Sequence, residues 1–335
     1  MPVGAEPWHL CLKVLDPSEG ESLVMSLVVV NRDSALGSQR TGEPKLYLGC
    51  PVWACGEWVG SFFTPDAKTR DYLRQYSSVF NTVEGNSTFY ALPGRDTVRR
   101  WANETSDGFR FSLKFPRAIS HEMQLVGAEA ETTTFLDLLM ILHESKRLGP
   151  TFLQLGPSFD RRQFDALASY LESLPSELPF AVEVRHRDYF DNGPIEHALD
   201  ELLKRVQIDR VLFDSRALFS ERPTTEAEKE SQRRKPRSPL RRTVTGRHPL
   251  LRFIGRDNLD AIQFWIDDWA PIVADWLHAG LSPFVFTHAP NDFFAVEFAQ
   301  RFHHRLSELV PNLPPLPVSP AQLQSQTRLK QRQLF

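Results

Sequence analysis

Along the chain, short runs of β-branched and aromatic residues alternate with longer stretches whose apolar positions recur at helical spacing. The runs are KLYLGC, VFNTVEGN, FRFSLKF, TFLQLG, FAVEVRH, RVLFDS, LLRFIG and PFVFTHA. Between them lie patterns such as AETTTFLDLLMILHESKRLG, DRRQFDALASYLESL, PIEHALDELLKRV and DAIQFWIDDWAPIVADWLHAG, several opening on an acid or proline and closing on a base or glycine. Eight such alternations over about 260 residues predict a TIM-type (β/α)8 barrel, an architecture of typically about 250 residues. A doubly wound sheet is the alternative. The interval between RVLFDS and LLRFIG shows no clear helical pattern and makes the barrel irregular there.

The ends do not follow the repeat. Residues 1–44 carry mixed signals without a capped helix or hairpin and read as an N-terminal extension. Residues 45–310 form the barrel, with a basic insertion at about 217–248. Residues 311–335 open with prolines, turn polar and read as a C-terminal tail, mobile in its middle.

Composition narrows the class without changing this picture. The chain has 335 residues, 41% of them hydrophobic, enough for a large core. Cys11, Cys50 and Cys55 form neither a CxxC pair nor an even framework, which favours a reducing compartment. The apolar stretch SLVMSLVVV is far short of a membrane span, and no secretory leader pattern precedes it, so the expected location is the cytoplasm, with no membrane partner. A net charge of −3 excludes a uniformly basic surface. Within it, QRRKPRSPLRRTVTGRH, residues 232–248, concentrates Arg233, Arg234, Lys235, Arg237, Arg241, Arg242 and Arg247 with no acid. Its prolines and glycine predict a loop, either a solvated insertion or a phosphate-holding one in which Arg233, Arg234, Arg241 and Arg242 contact nucleic acid.

In a barrel of this type, ligand sites are built at the C-terminal ends of the strands. Reading each strand to its end selects Glu84 and Asn86, Lys114, Gln154, Glu183 and Arg185, Asp214, Arg252, then Thr287 and His288. Thr82, Glu84, Asn86 and Thr88 share one face at period two, as do Glu183 and Arg185. Acids stand beside bases, so the set suits a self-neutralising ion network as well as a ligand site. So many polar groups at one predicted end favour the site. Glu84 and Glu183 are the candidate catalytic pair, acid and base. Lys114, Arg185 and Arg252 suit a phosphate or carboxylate, with Asn86, Gln154, Asp214 and His288 as further ligand-binding candidates. His186, His288, Asp214 and the glutamates lack a metal-ligand spacing, so no metal or other cofactor is expected and a divalent ion is the less favoured reading. His121 reads as structural, and Trp53, Trp58, Phe62 and Phe63 as packing residues.

GCPVWACGEWVGSFF, VEGNSTFY, FRFSLKFPRAISH, QLGPSF, AVEVRHRDYF, LFDSR and LLRFIG, in this order from about residue 46 to residue 310, resemble the YecE-like family, the domain of unknown function numbered seventy-two, in its bacterial YecE branch. The resemblance implies a TIM-type barrel similar in outline to the sugar isomerase and apurinic endonuclease barrels, and no particular activity. It places the family's recurrent polar residues on Glu84, Asn86, Lys114, Glu183, Arg185, Asp214 and Arg252. Where many relatives carry a His two positions after the strand-seven Arg this chain has Ile254, and where many carry an Asn pair on strand eight it has Thr287 and His288.

Three functions fit these observations: a barrel binding a phosphorylated or nucleic-acid ligand, with hydrolase or lyase chemistry; an isomerase- or epimerase-like enzyme of small molecules using Glu84 and Glu183; and a noncatalytic interaction protein. Whether the chain is an enzyme is left open. The terminal QRQLF adds one partner: Gln331, Leu334 and Phe335 resemble the Gln, Leu and Phe positions of the short peptide that binds the bacterial sliding clamp, and local docking of the tail is the alternative.

Overall fold

In the computed structural model, which describes residues 43–332, all eight runs are strands: β1 Tyr47–Gly49, β2 Thr82–Gly85, β3 Arg110–Leu113, β4 Thr151–Gln154, β5 Phe180–Glu183, β6 Asp209–Asp214, β7 Leu250–Ile254 and β8 Phe284–His288. The helices are α1 Thr69–Ser77, α2 Arg95–Glu104, α3 Glu129–Glu144, α4 Phe164–Ser173, α5 Pro194–Arg205, α6 Glu226–Arg234, α7 Gln263–His278, α8 Ala295–Leu309 and α9 Pro320–Arg332. Strands pair in parallel in the order β1-β8-β7-β6-β5-β4, and β2 pairs with β3 in a second, two-stranded sheet.

Two seams join the sheets into a TIM-type barrel. At one, Phe111 pairs with Leu148 and Lys114 with Phe152, and the Phe115 N–H donates to the Phe152 carbonyl at 3.0 Å. At the other, side chains complete the ladder. Asn81 donates to the Leu46 carbonyl at 2.8 Å and accepts from the Leu48 N–H at 2.9 Å. The buried Tyr76 hydroxyl accepts from the Cys50 N–H at 2.7 Å and donates to the Thr82 carbonyl at 3.0 Å. One direct backbone bond, Glu84 N–H to the Cys50 carbonyl, follows at 3.1 Å. With both sheet edges joined, the barrel rather than the doubly wound sheet is the architecture.

Alternation sets two layers of packing. Tyr47, Phe152, Ala181, Val211, Leu250, Phe284 and Phe286 form one apolar cluster inside the barrel. The intervening strand residues, among them Leu48, Val83, Phe111, Leu153, Val182, Leu212, Leu251 and Val285, belong to the larger core shared with the helices. Two residues beyond the inner apolar layer, the same strands present Gln154, Glu183, Phe213, Arg252 and His288.

One segment departs from expectation. The interval read as helix-free contains α6, started by Thr225, whose hydroxyl accepts from the Glu228 N–H, and within the basic stretch 232–248 only residues after Arg234 run as loop. The tail packs through its first half: Leu313 and Leu316 lie against the core, the Pro314 carbonyl sits 3.0 Å from His303 Nε2, and the Ala321 N–H donates to the Phe62 carbonyl at 3.2 Å. Apolar spacing too sparse to register in sequence still suffices once α8 supplies a surface. Of the N-terminal extension, only residues 43 and 44 are described.

The β1–β2 seam depends on a missing side chain. A Cβ at Gly49 would lie 2.0 Å from the Thr82 carbonyl oxygen, so this glycine permits the close approach of the two strands. Gly49→Ala should therefore part the seam and cost about 3 kcal/mol, the upper end of the usual cost of overpacking. Urea denaturation measures it; a loss below about 1 kcal/mol would show that the strands separate freely.

Candidate functional site

Arg252, on β7, lies at the centre of the polar layer and is 3% exposed. Its Nε and Nη2 donate to Glu84 Oε2 and Oε1 at 2.8 and 2.7 Å, and its Nη1 donates to Glu183 Oε2 at 2.6 Å. One guanidinium thus clamps carboxylates from β2 and β5, both fully buried. Its planar fork matches Glu84 bidentately, as a lysine would not. The ring of Phe152 lies below it, 5.1 Å from the guanidinium carbon.

The network continues in both directions. From Glu84, Asn86 Nδ2 donates to Oε1 at 2.8 Å and His288 Nε2 lies 3.0 Å from Oε2. From Glu183, Oε1 accepts from Arg185 Nε and Gln154 Nε2, each at 2.8 Å. Gln154 Oε1 in turn accepts from Lys114 Nζ at 2.8 Å, and that ammonium lies 3.8 Å above the ring of Phe89. Eight of the residues read from strand ends therefore converge: Glu84, Asn86, Lys114, Gln154, Glu183, Arg185, Arg252 and His288.

Asp214 does not join them, and this corrects its inclusion in the set. Inward positions on β6 are Val211 and Phe213, so Asp214 falls one residue out of phase and points to the helical layer. There it accepts from Trp269 Nε1 on α7 at 2.7 Å and pairs with Arg216 at 2.8 Å. Thr287 likewise faces outward and bonds the Ala295 carbonyl at 3.1 Å. Ile254 is inward, packed with Phe213 and Leu218.

The basic segment also differs from a free phosphate-binding loop. Arg241 is bound to Glu196 and the Phe190 carbonyl, Arg242 to Asp268 on α7, and Arg233 and Arg234 both pair with Glu230 within α6. Arg241 and Arg242 are thereby turned toward acids of the helical layer. The sequence reading missed this because their partners lie far away in the chain. It also missed the clasp that holds α6: Arg256, just after β7, is 1% exposed and grips Glu228 at 2.8 and 3.0 Å, while Asp257 accepts from the Thr225 hydroxyl at 2.9 Å.

Three further residues near the network were not selected from sequence. Lys235 is brought in by the insertion, whose Pro236 carbonyl accepts from Ser215 at the end of β6 at 2.8 Å. Its amine feels the charges of Arg252, Glu84, Arg185 and Glu183. His121, read as structural, lies 5.1 Å ring to ring from Phe89 and feels Lys114 and Arg185. Phe89 completes the group. No strand-end rule could find Lys235, since it lies outside the repeat.

Burial and charge divide the ionisable groups sharply. Burial pushes both glutamates up, but Arg252, then His288 for Glu84 and Arg185 for Glu183, outweigh it, holding Glu84 well below the usual range and Glu183 at about 2. Both are ionised at neutral pH and poor proton donors. Burial, followed by the Arg252 charge, lowers Lys114 to about 7 and Lys235 to about 8. Burial also lowers His288 to about 4 despite Glu84, and His121 to about 4 with Lys114 and Arg185 adding to the effect. Within this network, the groups that titrate near neutrality are thus two lysines.

Among the described residues, no group of three or more His, Cys, Asp or Glu is placed to hold a metal ion. His186 caps the turn at Arg187–Phe190, accepting from the Asp188 N–H at 3.3 Å, apart from Asp214 on the outer face. No helix among the described residues is long and apolar enough to cross a membrane. Of the clamp-like peptide, Leu334 and Phe335 lie outside the described residues, and Gln331 belongs to α9 with its side chain undescribed.

A family model described as "Protein of unknown function DUF72" matches residues 47–323. The chain belongs to the DUF72 family. It is 36% identical over 277 residues to the UPF0759 protein YecE of Escherichia coli (strain K12), covering 83% of this chain and 98% of that one. It is 26% identical over 160 residues to the UPF0759 protein YunF of Bacillus subtilis (strain 168), covering 46% and 55%. Solved structures of DUF72 proteins agree in fold. The one from Thermotoga maritima superposes with a TM-score of 0.62 at 22% identity, covering 78% of this chain and 99% of that chain. The one from Enterococcus faecalis superposes with 0.60 at 20%, covering 78% and 95%. The YecE-like assignment made from ordered segments holds, and with it the barrel expected of a DUF72 protein.

Within this DUF72 barrel, Arg252→Met should be strongly destabilising, by about 3–5 kcal/mol at pH 7, because two carboxylates remain buried without their shared partner. Its pH dependence carries the test. In the unaltered chain both glutamates have folded pKa values below the unfolded value of about 4.3. Their stabilising contribution is present above that pH and is lost as pH falls through the folded values, about 2 for Glu183. In the variant, burial without the guanidinium raises both carboxyls, so the stability difference should shrink as pH is lowered from 7 to 4. A difference constant over that range, by denaturation at each pH, would mean the carboxylates are not held by Arg252.

Proposed function

We propose that the mouth of the barrel binds a phosphorylated ligand, a small molecule or a nucleic-acid end, and serves hydrolase or lyase chemistry on it. The observation that carries this reading is a surplus of positive charge once the internal pairs are made. Arg252 and Arg185 offset Glu84 and Glu183, and Lys114 and Lys235 remain with no carboxylate within ion-pair distance among the described residues. Counting Asp292, a half-buried acid that feels Lys235, three acids stand against four cations. Arg185 is bonded through Nε alone, and its side chain is 18% exposed, so its outer edge is available to an oxyanion. An open cleft of about 520 Å³ along α6 reaches Lys235 and is lined by Phe219 and Arg237 and by Lys229 and Arg233, which pair with Glu226 and Glu230.

The same charges disfavour the isomerase-like alternative. An acid and base pair needs one carboxyl to hold a proton near neutral pH, and both glutamates are kept ionised by the guanidinium they share. Glu84 and Glu183 act here as supports of Arg252.

Binding should couple to lysine protonation. A phosphate dianion held by Arg185 and Lys235 favours the Lys235 ammonium, so complexation near pH 8 should take up protons, and affinity should fall as pH rises above about 8 and that amine becomes neutral. Calorimetric titration with inorganic phosphate in buffers of different ionisation enthalpy reads this directly. Arg185→Ala should weaken phosphate at least about tenfold while costing no more than about 1–2 kcal/mol of stability, since Glu183 keeps Arg252 and Gln154. Affinity independent of both pH and Arg185 would remove the anion site.

A further inference from the structure

We infer that Lys114 is an amine nucleophile that forms an imine with an aldehyde or ketone carbonyl on the phosphorylated ligand. The inference rests on the anion-binding reading and extends it to the substrate class, a phosphorylated carbonyl compound.

The geometry around Nζ carries it. Lys114 directly follows strand β3, is 8% exposed, and is held from one side by a neutral amide oxygen, Gln154 Oε1, at 2.8 Å. From the other side it is seated on an aromatic face, Phe89, at 3.8 Å. Among the described residues no carboxylate pairs with it, although two glutamates lie in the same network, because Arg252 and Arg185 occupy them. A lysine placed for an ion pair would take one of those oxygens. Here the polar layer holds the amine in place without fixing its charge, and burial, then the charges of Arg252 and Arg185, favour the neutral form. At pH 7 an ordinary lysine of pKa about 10.4 is neutral in roughly one molecule per 2,500. An amine half neutral at that pH offers about a thousandfold more nucleophile.

The step balances with groups at hand. The Nζ lone pair bonds to the carbonyl carbon as the π pair moves to oxygen, and one amine proton passes to that oxygen. The hydroxyl then leaves as water with a proton from solvent, leaving a protonated imine at Nζ. The phosphate lies toward Arg185 and Lys235.

The test uses the full chain with glyceraldehyde 3-phosphate and sodium cyanoborohydride, read by intact mass and peptide mapping. One reduced adduct is expected on Lys114, at least about a hundredfold faster at pH 7 than on exposed lysines such as Lys68 or Lys204, with a rate rising through pH 7. Unphosphorylated glyceraldehyde should react more slowly. Lys114→Arg should lose the adduct. Gln154→Glu sets a carboxylate against Nζ and favours the ammonium but also faces Glu183 Oε1, so with its fold checked by circular dichroism it should slow the reaction tenfold or more. Labelling spread over surface lysines, with inorganic phosphate still bound in the calorimeter, would overturn the imine and leave the anion site. Loss of both would overturn the two together.

Discussion

The clamp of Arg252 on Glu84 and Glu183 is the constraint on which the rest of the mouth depends. Two carboxylates buried in a barrel interior are strongly disfavoured unless an equal charge is buried with them and their lone pairs are satisfied. One guanidinium meets most of that demand from β7, reaching β2 and β5 across the barrel. The remaining acceptor positions go to Asn86, His288, Arg185 and Gln154. Those partners are fixed in turn, so the rotamers of the whole layer follow from one pairing. Below it the apolar cluster of Phe152, Val211 and Phe286 keeps water out, which strengthens the pairing and raises the cost of breaking it.

The same pairing explains which groups remain without a carboxylate partner. Once the carboxylates are engaged by arginines, no carboxylate among the described residues is left at ion-pair distance from Lys114, whose partner is an amide, or from Lys235, which enters from outside the repeat and feels Asp292. A network that fully satisfied its own charges would have set a carboxylate on each lysine and held both near their ordinary values. Such a departure from complete satisfaction lowers stability and is a common mark of a binding or catalytic surface.

Much of this was legible because a barrel repeats. Eight strands were readable from β-branched runs, and a strand end carries its inward residues at period two, so Glu84, Lys114, Gln154, Glu183 and Arg252 could be chosen without coordinates. Asp214 shows the limit of that rule. It is as polar and as near its strand end as Glu183, but phase decides the face, and one residue's offset put it against Trp269. The insertion was less legible still. Arg241 and Arg242 sit in a run that looks like a phosphate-binding loop, and their engagement by Glu196 and Asp268 is tertiary, invisible to any local count of charge. For α6, the polar Glu226–Arg234 pattern offers almost no apolar stripe; what holds the helix is the buried pair of Glu228 with Arg256, residues 28 apart.

That pair gives the insertion a role in the site. Arg256 and Asp257 follow β7 directly, so the strand that carries the clamp also carries the clasp for α6. Ser215, following β6, fixes the other end of the segment through the Pro236 carbonyl. Lys235 is therefore positioned by two adjacent strands of the barrel although it belongs to neither. A disturbance at Arg252 would reach it through β7 as well as through the electrostatic field. The position of this lysine is thus a property of the barrel wall, even though its sequence lies in a segment that the strand repeat does not specify.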